Sequence, residues 1–240
     1  MRICVLGNSH VASIKKAWDM MSQDYPDYEF MFFASRGIGL SKLKAEDGKL
    51  LPGDDSLRAN LAFTSGSNGE IDPSVFDVFL VYGANCRPYF KTETFYSQTV
   101  LQASVEDYTQ NSLAINLIKL LRQVTEKKIF LGHNPLQGAP LSDKKSQSRE
   151  NYLRGCDFIN QNFYVEKNTL MVQQPLDTIV NGNRTDISYS IGSKKLEIGD
   201  EKDNRSHPVE DLKHMNEEFG KIWVLRFIEE YLSDLSSKSF

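Results

Sequence analysis

The fold turns on the first ten residues, Met1-Arg2-Ile3-Cys4-Val5-Leu6-Gly7-Asn8-Ser9-His10. Residues 2–6 form a short apolar run that ends at Gly7, the pattern of a buried strand. From His10 to Met21 the apolar positions Val11, Ile14, Trp18 and Met21 recur at helical spacing. A buried strand feeding a helix through a four-residue polar turn is the start of a βα unit.

The same alternation continues downstream. Residues 28–34 read as a second strand. The run Val78-Phe79-Leu80-Val81-Tyr82 is apolar throughout, as a central parallel strand is. Residues 112–124 are an amphipathic helix, and 128–131 are the strand after it. Residues 149–163 read as helix, 169–172 as a last short strand, and 217–232 as a long closing helix. Strands separated by helices predict a three-layer α/β/α domain of flavodoxin-like type, with a central, mostly parallel five-stranded sheet. The 240 residues are expected to form one domain. Two polar, glycine-spotted stretches, 41–68 and 175–203, are expected as insertions at the rim of the site. Within the second, Asn181-Gly182-Asn183 is a turn signal, and residues 187–191 alternate weakly, as a hairpin strand would.

Composition narrows the function. Lys+Arg total 28 against 32 Asp+Glu, a net charge of −4. That balance offers no broad attraction for nucleic acid or an anionic membrane, so neither is an expected partner. The opening apolar run is too short for a secretory segment, and no stretch approaches a spanning helix. Three cysteines, Cys4, Cys86 and Cys156, lie far apart. The expectation is therefore a cytoplasmic, reduced protein without a disulfide framework. The four histidines lack metal-ligand spacing, so no metal is expected. Ser35-Arg36-Gly37-Ile38-Gly39 lacks the third glycine of a dinucleotide fingerprint, and no cofactor is expected.

Ligands of a parallel α/β sheet bind beyond the carboxyl ends of its strands. Those ends carry Gly7-Asn8-Ser9-His10, Ser35-Arg36-Gly37, Gly83-Ala84-Asn85 and Gly132-His133-Asn134, with Asp211-Leu212-Lys213-His214 ahead of the last helix. These parts suit acyl transfer. A serine hydroxyl needs a base, and a histidine base needs an acceptor that fixes its tautomer. Ser9, His214 and Asp211 are the candidates for those roles. The N–H groups of Ser9 and Gly37 and the side-chain amide of Asn85 are candidate oxyanion donors.

The four blocks, in this order, resemble those of the SGNH hydrolases, the GDSL-type esterase and acyltransferase superfamily. Gly7-Asn8-Ser9-His10 is similar to the first block, with Asn8 where the family has Asp and His10 where it has an apolar residue. Gly37 is similar to the second-block glycine, Gly83-Ala84-Asn85 to the third block, and Asp211 through His214 to the last. The resemblance implies Ser9 as nucleophile, His214 as base, Asp211 as its orienter, and an oxyanion hole of Ser9, Gly37 and Asn85. It also implies a serine esterase acting on a short acyl ester, an O-acetyl group on a carbohydrate being expected.

Two other functions fit the same residues: an O-acyltransferase in surface-polysaccharide modification, and a non-catalytic carbohydrate-binding or assembly factor on a degenerate scaffold. His207, with Asp203 near it, competes with His214 for the role of base. His10, Arg36, Arg87 and His207 are candidate substrate contacts. The partner expected is a small-molecule or carbohydrate ester; the sequence leaves the oligomeric state open.

Overall fold

The computed structural model describes residues 1–91, 96–110, 112–139 and 149–236. Strand β1 (Arg2–Gly7) passes through Asn8-Ser9-His10 into helix α1 (Val11–Met21), and β2 (Glu29–Ala34) follows. A hairpin of β3 (Leu43–Glu46) and β4 (Lys49–Pro52) leads to α2 (Asp55–Ser65). Next come β5 (Val78–Tyr82), α3 (Gln98–Gln110), α4 (Leu113–Val124) and β6 (Ile129–Gly132). Short β7 (Gly138–Ala139), α5 (Arg149–Ile159) and β8 (Thr169–Val172) follow. The chain then forms β9 (Ile179–Val180), β10 (Arg184–Asp186) and α6 (Glu217–Phe227).

The central sheet has the order β2-β1-β5-β6-β8, and all four pairings are parallel. Its strands are the five that the apolar runs predict. Gly7 is level with Ala34 and Tyr82, and Tyr82 with Gly132. The four carboxyl ends therefore stand in one row, and this row places the candidate residues. β1 and β5 are buried along nearly their whole length, because helices cover both faces. One face packs Leu6, Phe79, Val81, Leu117 and Leu131 into one cluster. The other packs Val5, Trp18, Leu80, Trp223 and Phe227 into a second. Added at Gly220, a Cβ would run into the Ser13 carbonyl, so this glycine lets α6 lie against α1.

The polar stretches are built differently from their expected readings. Within 41–68 lie the β3–β4 hairpin and α2, whose N-cap Asp54 accepts from the Leu57 N–H at 2.8 Å. Helix α2 braces the back of β2: Thr64 Oγ1 accepts from the Ala34 N–H at 3.1 Å. In 175–203 the hairpin strand is β10, not residues 187–191. Asn181 and Gly182 at the turn have φ of 52° and 74°, which sets the reversal at 181–183. Residues Ile187–Tyr189 form a 3₁₀ turn capped by Asp186 instead. No helix among the described residues is long and apolar enough to cross a membrane.

Candidate functional site

At the carboxyl end of β1 the turn Asn8-Ser9-His10 is fixed from within. Asn8 is buried, and its Oδ1 accepts from the His10 N–H at 3.2 Å. The Asn8 carbonyl accepts the first α1 bond, from Val11 N at 3.0 Å. Asn at this position thus does the turn-holding work that a carboxylate would do. Ser9 is left with its hydroxyl outward, 2.9 Å from His214 Nε2.

His214 comes from the segment ahead of α6. Asp211 Oδ1 accepts from the N–H groups of Lys213 (2.8 Å) and His214 (3.0 Å), a tight turn that folds the side chain of His214 back over the carboxylate. Asp211 Oδ2 then faces His214 Nδ1 at 2.9 Å. With Nδ1–H donated to Asp211, Nε2 carries the lone pair, and the Ser9 hydroxyl donates to it. Burial alone would raise Asp211, but the backbone and ring N–H bonds from His214, with that of Lys213, pull it down to about 2. It stays ionised at neutral pH. Asn216 completes the brace: it caps α6 through the Phe219 N–H (3.2 Å) and donates to the carbonyls of Ser188 and Ile191, each at 3.0 Å.

The candidate oxyanion donors stand at the neighbouring strand ends. Gly37 lies in the left-handed region with φ 63°. Gly83, Ala84 and Asn85 have φ of 71°, 50° and 58°, three consecutive left-handed residues that turn the chain sharply after β5. The turn is tied down by Gly83 N–H to the Gly132 carbonyl, Cys86 N–H to that of Gly83, and Ala114 N–H to that of Ala84, at 2.8–2.9 Å. Asn85 is exposed. Among the described residues, the amides of Ser9 and Gly37 and the side chain of Asn85 have no hydrogen-bond partner. They follow the ends of three neighbouring strands, β2, β1 and β5.

Three imidazoles stack here. His214 lies between His207, at 3.9 Å and 7°, and His10, at 4.8 Å and 22°. Burial foremost, then the neighbouring His214, pushes His10 down to about 3 and His207 to about 4, so both are neutral at neutral pH. His207, Asp211 and His214 bring ligand-type atoms within 4.8 Å of one another. The two ring planes are nearly parallel, however, and both Nδ1 atoms face one carboxylate oxygen. His214 hydrogen-bonds that oxygen at 2.9 Å, and His207 approaches it at 3.3 Å.

A cleft of about 1210 Å³ runs outward from His10 and Asn85. Its walls include Arg87, Tyr89, Arg184 and Lys213. Of the candidate substrate contacts, Arg87 and His10 line it; Arg36 and His207 do not. Arg36 is spent elsewhere: it donates to the Leu196 carbonyl and pairs with Asp200 (2.6 Å) and Asp203 (2.8 Å). Those partners lie over 150 residues away, and they make Arg36 a clamp on the 196–203 loop. His207 sits behind His214, on its far side from His10. His133 is also structural: it is buried, with Nδ1 bonded to the Asn134 carbonyl and Nε2 to the Tyr152 hydroxyl, both at 2.6 Å. Arg184 and Lys213, which sequence reasoning passed over, join the cleft wall. Lys213 is adjacent to His214, and that adjacency was its signal.

No protein-family model matches the chain, and no curated protein matches it. Among solved structures, the chain is similar to the periplasmic domain of a lipopolysaccharide acetyltransferase from Salmonella ser. Paratyphi A. The two are 12% identical over 96% of this chain and 83% of that one, with a TM-score of 0.46.

Proposed function

We propose that the protein is a serine esterase of SGNH type that removes a short acyl group, such as O-acetyl, from a carbohydrate. The observation that carries this reading is the continuous relay from Ser9 Oγ through His214 to Asp211, with both links at 2.9 Å. His214 Nε2 takes the Ser9 proton as Oγ attacks the ester carbonyl. The oxyanion that forms is held by the Ser9 and Gly37 N–H groups and the Asn85 amide. Breakdown of the tetrahedral species returns the proton from His214 to the departing alcohol oxygen and leaves an acyl-Ser9. Water, deprotonated by His214, then attacks the acyl carbonyl; the bond to Ser9 Oγ breaks, His214 returns the proton to Oγ, and the acid leaves. A carbohydrate fits as the alcohol because the cleft is far larger than an acetyl group and is walled by arginine, lysine, amide and tyrosine side chains.

The test is active-site labelling with a fluorophosphonate, read by intact mass and peptide mapping, beside turnover of acetylated sugars. One adduct on Ser9, absent from heat-denatured protein and from His214→Ala, is expected. Ser9→Ala should fold normally and release no acetate. An unlabelled but folded protein, with glycan binding unchanged in Ser9→Ala, would instead identify a non-catalytic binding factor. Acetyl appearing on an added sugar rather than as free acetate would identify the transferase.

A further inference from the structure

Arg36 directly precedes Gly37, and its guanidinium uses all three nitrogens on one distant loop. Nε donates to the Leu196 carbonyl at 2.9 Å, and Nη2 donates to the same oxygen. Nη1 reaches both Asp200 oxygens, at 2.7 and 2.6 Å, and Nη2 reaches Asp203 Oδ1 at 2.8 Å. The loop is braced without Arg36: Asp203 accepts from the N–H groups of Ile198 (2.9 Å), Gly199 (2.8 Å) and Asp200 (3.2 Å). Leu196 is buried in the same apolar cluster as Trp18 and Trp223, so the loop is a fixed post. Lys16 of α1 ties it a second time, donating to Asn204 Oδ1 at 2.6 Å. Beyond the loop the chain forms a short ladder, with Lys195 N–H on the Arg205 carbonyl and His207 N–H on that of Ser193, both at 2.9 Å. That ladder runs into the turn that carries Asp211 and His214.

The Gly37 amide belongs to the Arg36–Gly37 peptide, a planar unit whose N–H points away from its carbonyl. The carbonyl accepts from the Gly39 N–H at 3.3 Å, a long hydrogen bond. On the other side Gly37 has φ 63°, and a Cβ there would meet no atom within 4 Å beyond its chain neighbours. One long bond and an unpacked glycine hold a peptide plane weakly. The Arg36 side chain supplies the missing anchor.

We propose that Arg36 is a positioning residue for the oxyanion hole: its grip on the 196–203 loop fixes the Arg36–Gly37 peptide, aims the Gly37 N–H, and ties that donor to the segment bearing the base. This rests on the esterase reading of Ser9, His214 and Asp211. The task suits arginine, whose rigid fork meets a carbonyl and two carboxylates at once; a lysine ammonium is a single point charge and serves fewer of them.

The experiment compares the parent, Arg36→Ala and Arg36→Lys in the full chain, by turnover of 4-nitrophenyl acetate and by NMR of the Gly37 amide in isotope-labelled protein. Turnover is normalised to the fraction that a fluorophosphonate labels. In Arg36→Ala kcat should fall about 10–100-fold, less than the about 10²–10³-fold for a donor removed outright, with KM within about twofold. Arg36→Lys should fall between the two and guards against a misfolded alanine variant. The Gly37 amide signal, one sharp line in the parent, should broaden or double in both variants. A Gly37 signal that stays sharp in folded variants, or a loss confined to KM or to the labelled fraction, would overturn the proposal and leave Arg36 a clamp on the loop alone. The NMR arm needs no chemistry at Ser9. A parent without turnover or labelling, whose Gly37 amide still loosens in the variants, would therefore sink the esterase reading and keep the anchoring of Gly37 by Arg36.

Discussion

Asn85 holds its side chain at the carboxyl end of β5 by a backbone that costs free energy to maintain. A non-glycine residue at φ 58°, following alanine at φ 50°, is uncommon, and neither turn residue is excused by a missing Cβ. The exposed amide makes no bond among the described residues, which leaves it available for the oxyanion of the proposed reaction. Asn85→Ala should lower kcat by about 10²–10³-fold with little change in KM, the loss typical of one oxyanion donor. Thermal melting should stay near the parent value, and a fall in melting temperature matching the loss of activity would mean that the amide is structural. The placement of Ser9, Gly37 and Asn85 at strand ends, and of Asp211 and His214 in the turn ahead of the last helix, was legible because the apolar runs fix where each strand stops; their roles in a reaction belong to the proposal. Arg36 and His207 were misjudged for one shared reason. Their partners are set by where the 193–211 segment folds back, and a linear chain does not display that. His207 was rightly weighed against His214, yet both reach the same carboxylate and only His214 reaches Ser9.

At the scale of elements, the site is two turns pressed together. A Cβ placed on Gly83 would lie 2.7 Å from Asn8 Oδ1 and 3.0 Å from His10 Cβ, and φ there is 71°. The β5 turn can thus pass the nucleophile turn only as glycine. Gly83→Ala should cost about 2–4 kcal/mol, combining left-handed strain with overpacking. Denaturant unfolding measures this, and Ser9 labelling should slow as well, because Asn8 must move. An unchanged midpoint with unchanged labelling would show that the two turns are not tightly coupled. The five central strands were legible because strands buried on both faces must be continuously apolar. The helices α1, α4, α5 and α6 were legible because one face of each is wet and the other dry. The β3–β4 hairpin and α2 escaped notice in a stretch rich in polar residues and glycine. Helix α3 was missed too; Val105 is buried while Val100 on the same helix is half exposed, so its apolar stripe is blurred. β7, β9 and β10 are two or three residues long and exist through pairing with one another; of these only the β9–β10 reversal has a local signal, the Asn181-Gly182-Asn183 turn.

Over the whole molecule, charge is distributed against its own average. The net charge is −4, yet the cleft beside Asn85 carries Arg87, Arg184 and Lys213 against a single acid, Asp107, among its described lining residues. Composition could not have revealed this, because a sum over 240 residues conceals a local inversion of sign. A cleft lined by one sign of charge concentrates the opposite sign at its mouth, and salt screens the effect over about 8–10 Å. Of the three cations, Arg184 is the best probe. Its guanidinium is held by Gln137 Oε1 at 2.9 Å on the β10 side of the cleft, away from the Ser9 relay. Acetyl esters of sugars that bear a carboxylate or phosphate should therefore show a higher kcat/KM than matched neutral esters at low ionic strength. The advantage should lie in KM, since the charge binds ground and transition states alike. It should shrink steadily as salt is raised to about 0.5 M, where the Debye length is a few ångströms. Arg184→Ala should reduce the preference several-fold while leaving turnover of the neutral ester near the parent value. Equal kcat/KM for charged and neutral esters at low salt would show that the cations serve the fold of the cleft rather than its ligand. A loss in Arg184→Ala that falls equally on both esters would point the same way.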